Sequence, residues 1–405
     1  MSANGSPTIL CLASEFKGLP FIIEAKKLGS RIILLAQERD AGEPWPFDSV
    51  DTFFTMPDLF TQPNITYAVS YLARENQIDR IVALDDFDVA TAAALREHMR
   101  LPGLSESIAR HFRDKLAMRV RARAAGINVP EFTAVFNYDQ LRAFMDRVAP
   151  PWILKPRFSA GAIGIQKLYE SEQLWRTLDR LGDQQSYYVL EQFLPGEVYH
   201  VDSVIYDGAP LFARASKYGE TPLAVTQGGG IFSTRTLDIS SPEQETLQAM
   251  NREIMAALGH RYGVSHTEFI RAYDDGRFYF LETAARVAGA NIDKMVAAAS
   301  GIDLWTEAAR IEVAGIRGES YQLPTYRDDS AGLVICLARQ EHPDMSAYQD
   351  PEIIWRLEKP HHAGLLVASP DAARVQALTE SYSQRFANDF LHHIPGKEKE
   401  ARNTI

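Results

Sequence analysis

Glu268 and Glu282 stand symmetrically about Asp274-Asp275-Gly276, and that placement constrains the chain more than any other feature. Residues 266–271 and 277–282 each read as a strand, and the Asp-Asp-Gly between them is strong hairpin-turn chemistry. A hairpin centred on Asp275 sets the two glutamates opposite one another, with Cβ atoms roughly 4.5–5.5 Å apart. A register one residue out would put them on opposite faces, as two solvated side chains. Facing carboxylates destabilise a ladder unless a cation sits between them. A hard divalent ion with oxygen ligands suits that place, and Mg²⁺ commonly arrives with a phosphorylated substrate. Beyond Glu282, Thr283-Ala-Ala-Arg286-Val-Ala-Gly289-Ala-Asn291 leaves the strand with small residues, one arginine and one asparagine. Arg286 is thereby placed as an anion contact beside the cation.

A length of 405 residues suggests two to three domains, and 46% hydrophobic with 23% charged residues gives ample core. The net charge of −11 argues against nucleic acid as the main partner, because phosphate-backbone affinity needs a basic surface. The two cysteines, Cys11 and Cys336, each lie in an apolar run and read as reduced core thiols. No apolar stretch approaches the ~20 residues of a membrane span. The start, Met1-Ser-Ala-Asn-Gly-Ser6, lacks the positive region of a signal peptide. A cytoplasmic protein acting on small molecules is expected, without nucleic acid or membrane partners and with a homodimer left open.

The first hundred residues alternate strand and helix: strand 8–13, helix 18–28, strand 31–36, helix 65–75, strand 80–84, helix 89–98. That order predicts an α/β, doubly wound, Rossmann-like parallel sheet, with ligands beyond the carboxyl ends of its strands. Ser14, Glu15 and Asp85-Asp86-Phe87-Asp88 occupy those ends, the acidic cluster either capping the next helix or touching substrate. A basic helical stretch, 108–125, follows. In it Arg119, Arg121 and Arg123 read as a solvated face. Beyond a helix at 138–148, the region to about 236 reads as strand-rich. A helix at 242–262 precedes the acidic hairpin, and helices at 290–299 and 304–314 follow it. From 321 a small α+β unit is expected, with strands 332–338, 353–357 and 364–368 and a helix at 370–390. The tail from Gly396 is charged and is expected to fray.

Between strands, Lys155-Pro-Arg-Phe-Ser159-Ala-Gly161-Ala-Ile-Gly164 forms a loop of small residues that lets backbone N–H groups approach an anion. Lys155 on the entering strand suits a phosphate. No Walker A pattern occurs. Next, Glu191-Gln-Phe-Leu194-Pro-Gly-Glu197 runs from a strand through an extended link and a turn into another acidic residue. An adenine fits such a link between apolar walls, and a carboxylate suits a ribose. Gln227-Gly-Gly-Gly-Ile-Phe-Ser-Thr-Arg235 is either a connector or the border of an acceptor pocket, with Lys217 and Arg235 available for carboxylates. His361-His362 and His392-His393 lack the spacing of a metal site and read as exposed.

Together, Lys115, Lys155, the small-residue loop, Glu191 to Glu197, Glu268 and Glu282-Thr-Ala-Ala-Arg286 occur in the order found in the ATP-grasp superfamily. The chain resembles a carboxylate–amine ligase of that group over essentially its whole length. The resemblance implies a leading domain at 1–104, an ATP-grasp domain at 105–320 and a small C-terminal lobe at 321–405. It also implies that Lys115, Lys155, Ser159, Gly161 and Gly164 contact ATP, that Glu191 and Leu194 form the adenine hinge, and that Glu197 holds ribose. Glu268 and Glu282 would hold Mg²⁺ (or Mn²⁺), with Arg286 and Lys155 serving the transferring phosphate. Where the family often carries asparagine in the metal strand, this chain has Ala284, so Asn291 is expected to supply the missing oxygen. The implied reaction activates a small carboxylate, such as an amino acid, as an acyl phosphate and passes it to an amine. The alternatives are an acid–thiol or bicarbonate-using ligase, or a nucleotide-binding regulatory protein without turnover.

Overall fold

A computed structural model describes residues 6–392. The expectations for Met1–Gly5, His393 and the tail from Gly396 concern residues outside that range. The first unit contains β1 (Thr8–Ala13), α1 (Leu19–Lys27), β2 (Arg31–Gln37), β3 (Thr52–Met56), α2 (Asn64–Leu72), β4 (Arg80–Ala83) and α3 (Asp88–Met99). Its four strands pair in parallel in the order β3-β2-β1-β4. Continuous apolar runs explain this: every residue of β1 is buried, as a strand covered on both faces requires.

The basic stretch is two helices, α4 (Glu106–Arg110) and α5 (Lys115–Ala124), where one was expected. Asp114 breaks it by accepting from Leu116 N and Ala117 N, an N-cap that starts a new helix. A four-stranded antiparallel sheet follows, β5 (Phe132–Ala134), β6 (Trp152–Pro156), β7 (Gln166–Leu168) and β8 (Tyr188–Gln192), in the order β5-β8-β6-β7. It carries α6 (Tyr138–Arg147) and α7 (Ser171–Leu181). The expected strand-rich region thus holds a helix it was not assigned, α7, which buries Leu174, Thr177 and Leu178 along one face.

The remaining strands form one eight-stranded antiparallel sheet. They are β9 (Gly196–Tyr206), β10 (Ala209–Tyr218), β11 (Phe232–Thr236), β12 (Gly263–Ala272), β13 (Phe278–Ala284), β14 (Ser330–Leu337), β15 (Ile353–Arg356) and β16 (His362–Ser369). Their order is β13-β12-β9-β10-β11-β14-β16-β15. Helices α8 (Pro222–Gly228), α9 (Pro242–Leu258), α10 (Ile292–Ser300), α11 (Leu304–Arg317) and α12 (Ala372–Asp389) complete the fold. Because β11 pairs with β14, a boundary at 320/321 would cut through a continuous sheet, and the final strands extend it instead of forming a separate lobe. Phe269 and Phe280 are fully buried behind the acidic hairpin, each contributing about 2–3 kcal/mol by burial.

Candidate active site

The hairpin pairs Glu268 with Glu282 directly, as the symmetry about Asp275 predicts. Nearer the turn the pairing runs one position out of step, with Phe269 opposite Phe280, and a bulge next to Glu268 restores the register. Two rungs on, and so on the same face, His266 stands opposite Ala284. Strand β9 lies on the other side of β12, with His200 opposite Glu268 and Asp202 opposite His266. Strand alternation therefore gathers Glu268, Glu282, His266, His200 and Asp202 on one face of the sheet.

That face meets a cavity of about 600 Å³. Lys115, Lys155, Ser159, Gly161, Glu191, Leu194, Glu268, Glu282 and Arg286 all contribute to its wall, although they come from every part of the chain beyond residue 104. Glu15, Lys17, Asp85 and Asp86 close it from the carboxyl ends of β1 and β4. Lys115 sits against Glu282 at 3.0 Å and donates to Ser159 O at 2.5 Å. Burial pushes the Glu282 carboxyl up, but the nearby Lys115, Lys155 and Arg119 outweigh it and hold the pKa at about 2. Glu268 accepts from Tyr218 OH at 2.9 Å, with His266 Nε2 at 3.6 Å.

Glu191 lines the cavity, but its carboxylate does not face a hinge. It is 2% exposed and is held by Lys155 Nζ at 2.7 Å and by Arg119 Nε at 3.0 Å. Arg119 NH2 donates to the same carboxylate at 3.1 Å, and its NH1 donates to Leu281 O. Arg119 was expected on a solvated face with Arg121 and Arg123; it is instead fully buried. The signal was present in the spacing, because Arg119 falls one helical turn after Lys115 on the same side of α5. Burial pulls the Lys155 ammonium down to about 8, with Glu191 the largest opposing charge.

Five expected residues do not line the cavity. Glu197 has the opposite strand parity from His200, and its carboxylate is engaged by Lys217 Nζ at 2.6 Å and Tyr199 OH at 3.0 Å. Lys217 and Arg235, opposite one another on β10 and β11, are likewise absent from its wall. Asn291 has φ 60 and its carbonyl accepts from Met295 N in the first turn of α10, while Gly289, Ala290 and Ile292 form the wall. On the rung of Ala284 the polar side chain is the His266 imidazole. Gly164 has φ 73 in the loop but does not reach the wall.

The 159–164 loop contains three residues of positive φ, with φ 68 at Gly161, 59 at Ala162 and 73 at Gly164. Gln227 Nε2 donates to Ile165 O at 2.9 Å and Thr226 Oγ1 to Gly161 O at 3.4 Å, so α8 bridges to this loop across the cavity. The stretch read as a connector or acceptor border thus begins inside a short helix. Within the acidic cluster, Asp85 pairs with Lys17 and accepts from Phe87 N at 3.1 Å. Asp86 pairs with Arg113 and lies 3.7 Å from Arg286 Nε, while Asp88 accepts from Ser14 N at 2.9 Å. The cluster ties the first unit to the rest and turns the chain into α3.

Sequence reading missed the His200–Asp202–His266 group, the single set of metal-ligand type found by proximity among the described residues. Its members are bonded to one another: His200 Nδ1 and His266 Nδ1 contact the two Asp202 oxygens at 2.7 and 2.9 Å. Burial alone would lower the His266 pKa, but Asp202 raises it to about 9. The signal was His200-x-Asp202, two polar residues on one face of a buried strand.

The ATP-grasp N-terminal domain model matches residues 22–103, the part of the chain that closes the cavity from the first sheet. The chain has the ATP-grasp fold. Over its full architecture it is similar to the crystal structure of an L-amino acid ligase from Bacillus licheniformis, with a TM-score of 0.76 and 18% identity, covering 96% of this chain and 99% of that one. In sequence the chain is similar to the L-arginine-specific L-amino acid ligase of Bacillus subtilis, 28% identical over 245 residues, or 58% of each chain. It is also similar to the alanine–anticapsin ligase of Bacillus subtilis, 23% identical over 252 residues, covering 56% of this chain and 52% of that one. The chain thus spans little more than half the length of these curated relatives. No helix among the described residues is long and apolar enough to cross a membrane.

Proposed function

We propose that this protein is an ATP-dependent ligase that activates a small carboxylic acid, an amino acid in the first instance, and joins it to an amine. The observation carrying this reading is the meeting of Glu268 and Glu282 on one rung, in a cavity that also holds Lys115, Lys155 and Arg286. Two hard carboxylate oxygens, one of them strongly acidic, suit Mg²⁺ and equally accept Mn²⁺. The ion would neutralise charge on the phosphates.

ATP is the substrate that supplies the phosphoryl group. A carboxylate oxygen of the acid bonds to the γ-phosphorus as the bond to the β-phosphate breaks, releasing ADP. The amine nitrogen then bonds to the acyl carbon, phosphate leaves with the C–O bond, and the nitrogen loses a proton to solvent. Lys155, fixed by Glu191, and Arg286, beside Asp86, would hold the terminal phosphate oxygens in position. The N–H groups of the 159–164 loop would cover the phosphates, with Lys115 holding Ser159 in place. Leu194 and the backbone beside Glu191 would receive the adenine. The proposed units are residues 1–104 and the grasp beyond them, and a cytoplasmic location agrees with two buried free thiols.

A phosphate-release screen with ATP, Mg²⁺ and pairs of amino acids, followed by mass spectrometry, tests this. A product lighter by one water than the pair supports the ligase. ATP binding with no turnover across all pairs, thiols and bicarbonate would favour a regulatory protein.

A further inference from the structure

A second cavity, of about 520 Å³, lies between the first unit and the large sheet. Its size is ordinary for a small-molecule site. Phe21, Tyr206, Tyr262 and Trp305 give it aromatic walls, and the rings of Tyr206 and Tyr262 meet edge-on at 5.4 Å. Arg286 lines this cavity as well as the first.

Arg96 is the unusual member of the wall. It is 8% exposed, and its guanidinium bonds only to two carbonyls, Ile81 O at 2.8 Å and Leu104 O at 3.4 Å. Among the described residues no carboxylate lies within ion-pair distance of it. Glu312, the acid in the wall, pairs with Arg80 at 3.3 Å. The loop at Gly103 packs on its stem so closely that a Cβ there would fall 2.7 Å from Arg96 Cδ. A buried cation held rigidly without a counter-charge is costly unless something completes it. Nearby, His260 Nε2 contacts Val264 O at 3.0 Å, and its buried Nδ1 has no partner in the structure. Of the other arginines in the wall, Arg80 pairs with Glu312, Arg261 with Asp207 and Arg286 lies beside Asp86, so Arg96 is left as the cation without a carboxylate at ion-pair distance among the described residues, which matches a monoanion. A phosphate dianion would bring a surplus negative charge into the same wall.

We propose that this cavity binds a small aryl carboxylate, with the carboxylate on Arg96 and the ring among Phe21, Tyr206 and Trp305. A purely mechanical Arg96, strapping the 102–104 loop to β4, would show no such binding.

The test uses the full chain with the first cavity filled by a non-hydrolysable ATP analogue and Mg²⁺. Fluorine NMR follows 4-fluorophenylacetate as the probe. Saturable binding that persists with the analogue present is expected, and 4-fluorophenylacetamide should bind about tenfold or more weakly, having lost the charge-assisted contact. Arg96→Gln should weaken the probe to a similar degree. Ala308→Phe, which fills the cavity from α11 and leaves Arg96 in place, should also abolish binding while the melting temperature is retained. Absence of saturable binding, displacement by the ATP analogue, equal affinity for the amide, or unchanged binding in Ala308→Phe would each overturn the proposal. So would tighter binding of phenyl phosphate than of the carboxylate.

Discussion

Replacing Glu191 by glutamine keeps its shape and removes one charge from the most buried ionic group in the cavity wall. The side chain is 2% exposed, and its oxygens contact Lys155 at 2.7 Å and Arg119 at 3.0 and 3.1 Å. Both cations would then lie buried without their nearest counter-charge, and breaking a buried pair from one side costs about 3–5 kcal/mol. With an unfolding entropy of about 2.1 cal/mol/K per residue, that loss corresponds to a fall of roughly 4–6 °C in melting temperature for a chain of this length. A second consequence is chemical. Lys155 already sits at about 8 because burial outweighs Glu191, so removing Glu191 moves it lower and uncharges it near neutral pH. Glu191→Gln should therefore lose affinity for an ATP analogue at a lower pH than the wild type, which changes little below about pH 7 because its Lys155 titrates at about 8. Calorimetry at several pH values, alongside a thermal melt, measures both effects. A variant with wild-type stability and a pH-independent loss of nucleotide affinity would refute the anchoring argument and make Glu191 a direct nucleotide contact.

Glu282→Gln should abolish Mg²⁺-dependent turnover with the fold intact, since one cation ligand is lost at an accessible strand end; near-normal activity in the purified variant would remove the metal assignment. The 159–164 loop should show slower hydrogen exchange when ATP analogue and Mg²⁺ are added together, because its small side chains make few packing contacts of their own. No change at saturation would count against a phosphate role for it. Burial raises the Asp88 carboxyl to about 7. Its folded pKa lies above the ordinary value of 3.8, so the native state holds the extra proton between those limits and stability falls as pH rises from about 4 through 7. Asp88→Asn should flatten that decline in denaturant titrations across this window, and an unaltered slope would show that Asp88 does not cause it.

The acidic hairpin was legible because turn chemistry and charge placement point to the same register. The bulge at Glu268 was not, since nothing in the side chains distinguishes a regular ladder from one that slips and recovers. The parallel first sheet was legible from its apolar runs, whereas the joining of β14 to β11 depends on pairing between strands nearly a hundred residues apart, which no local pattern encodes. At the site, residue type identified Lys155 and Glu191 as chemistry-bearing, but their mutual ion pair became visible only with the fold. Arg119 was hidden for the same reason: an arginine among arginines reads as surface until Glu191 is placed beside it. Glu197 holds its motif position, but its contacts with Lys217 and Tyr199 became visible only with the fold.

Which phosphorus is attacked decides the chemistry of activation. Positive charge and N–H donors gather where terminal phosphates would lie, so the acid should be activated by phosphoryl transfer. Running the ligation with ¹⁸O-labelled carboxylate and resolving the products by ³¹P NMR measures this directly. ADP and inorganic phosphate are expected in equal amounts, with one ¹⁸O in the phosphate. Stoichiometric AMP and pyrophosphate, with the label in AMP, would contradict activation by phosphoryl transfer.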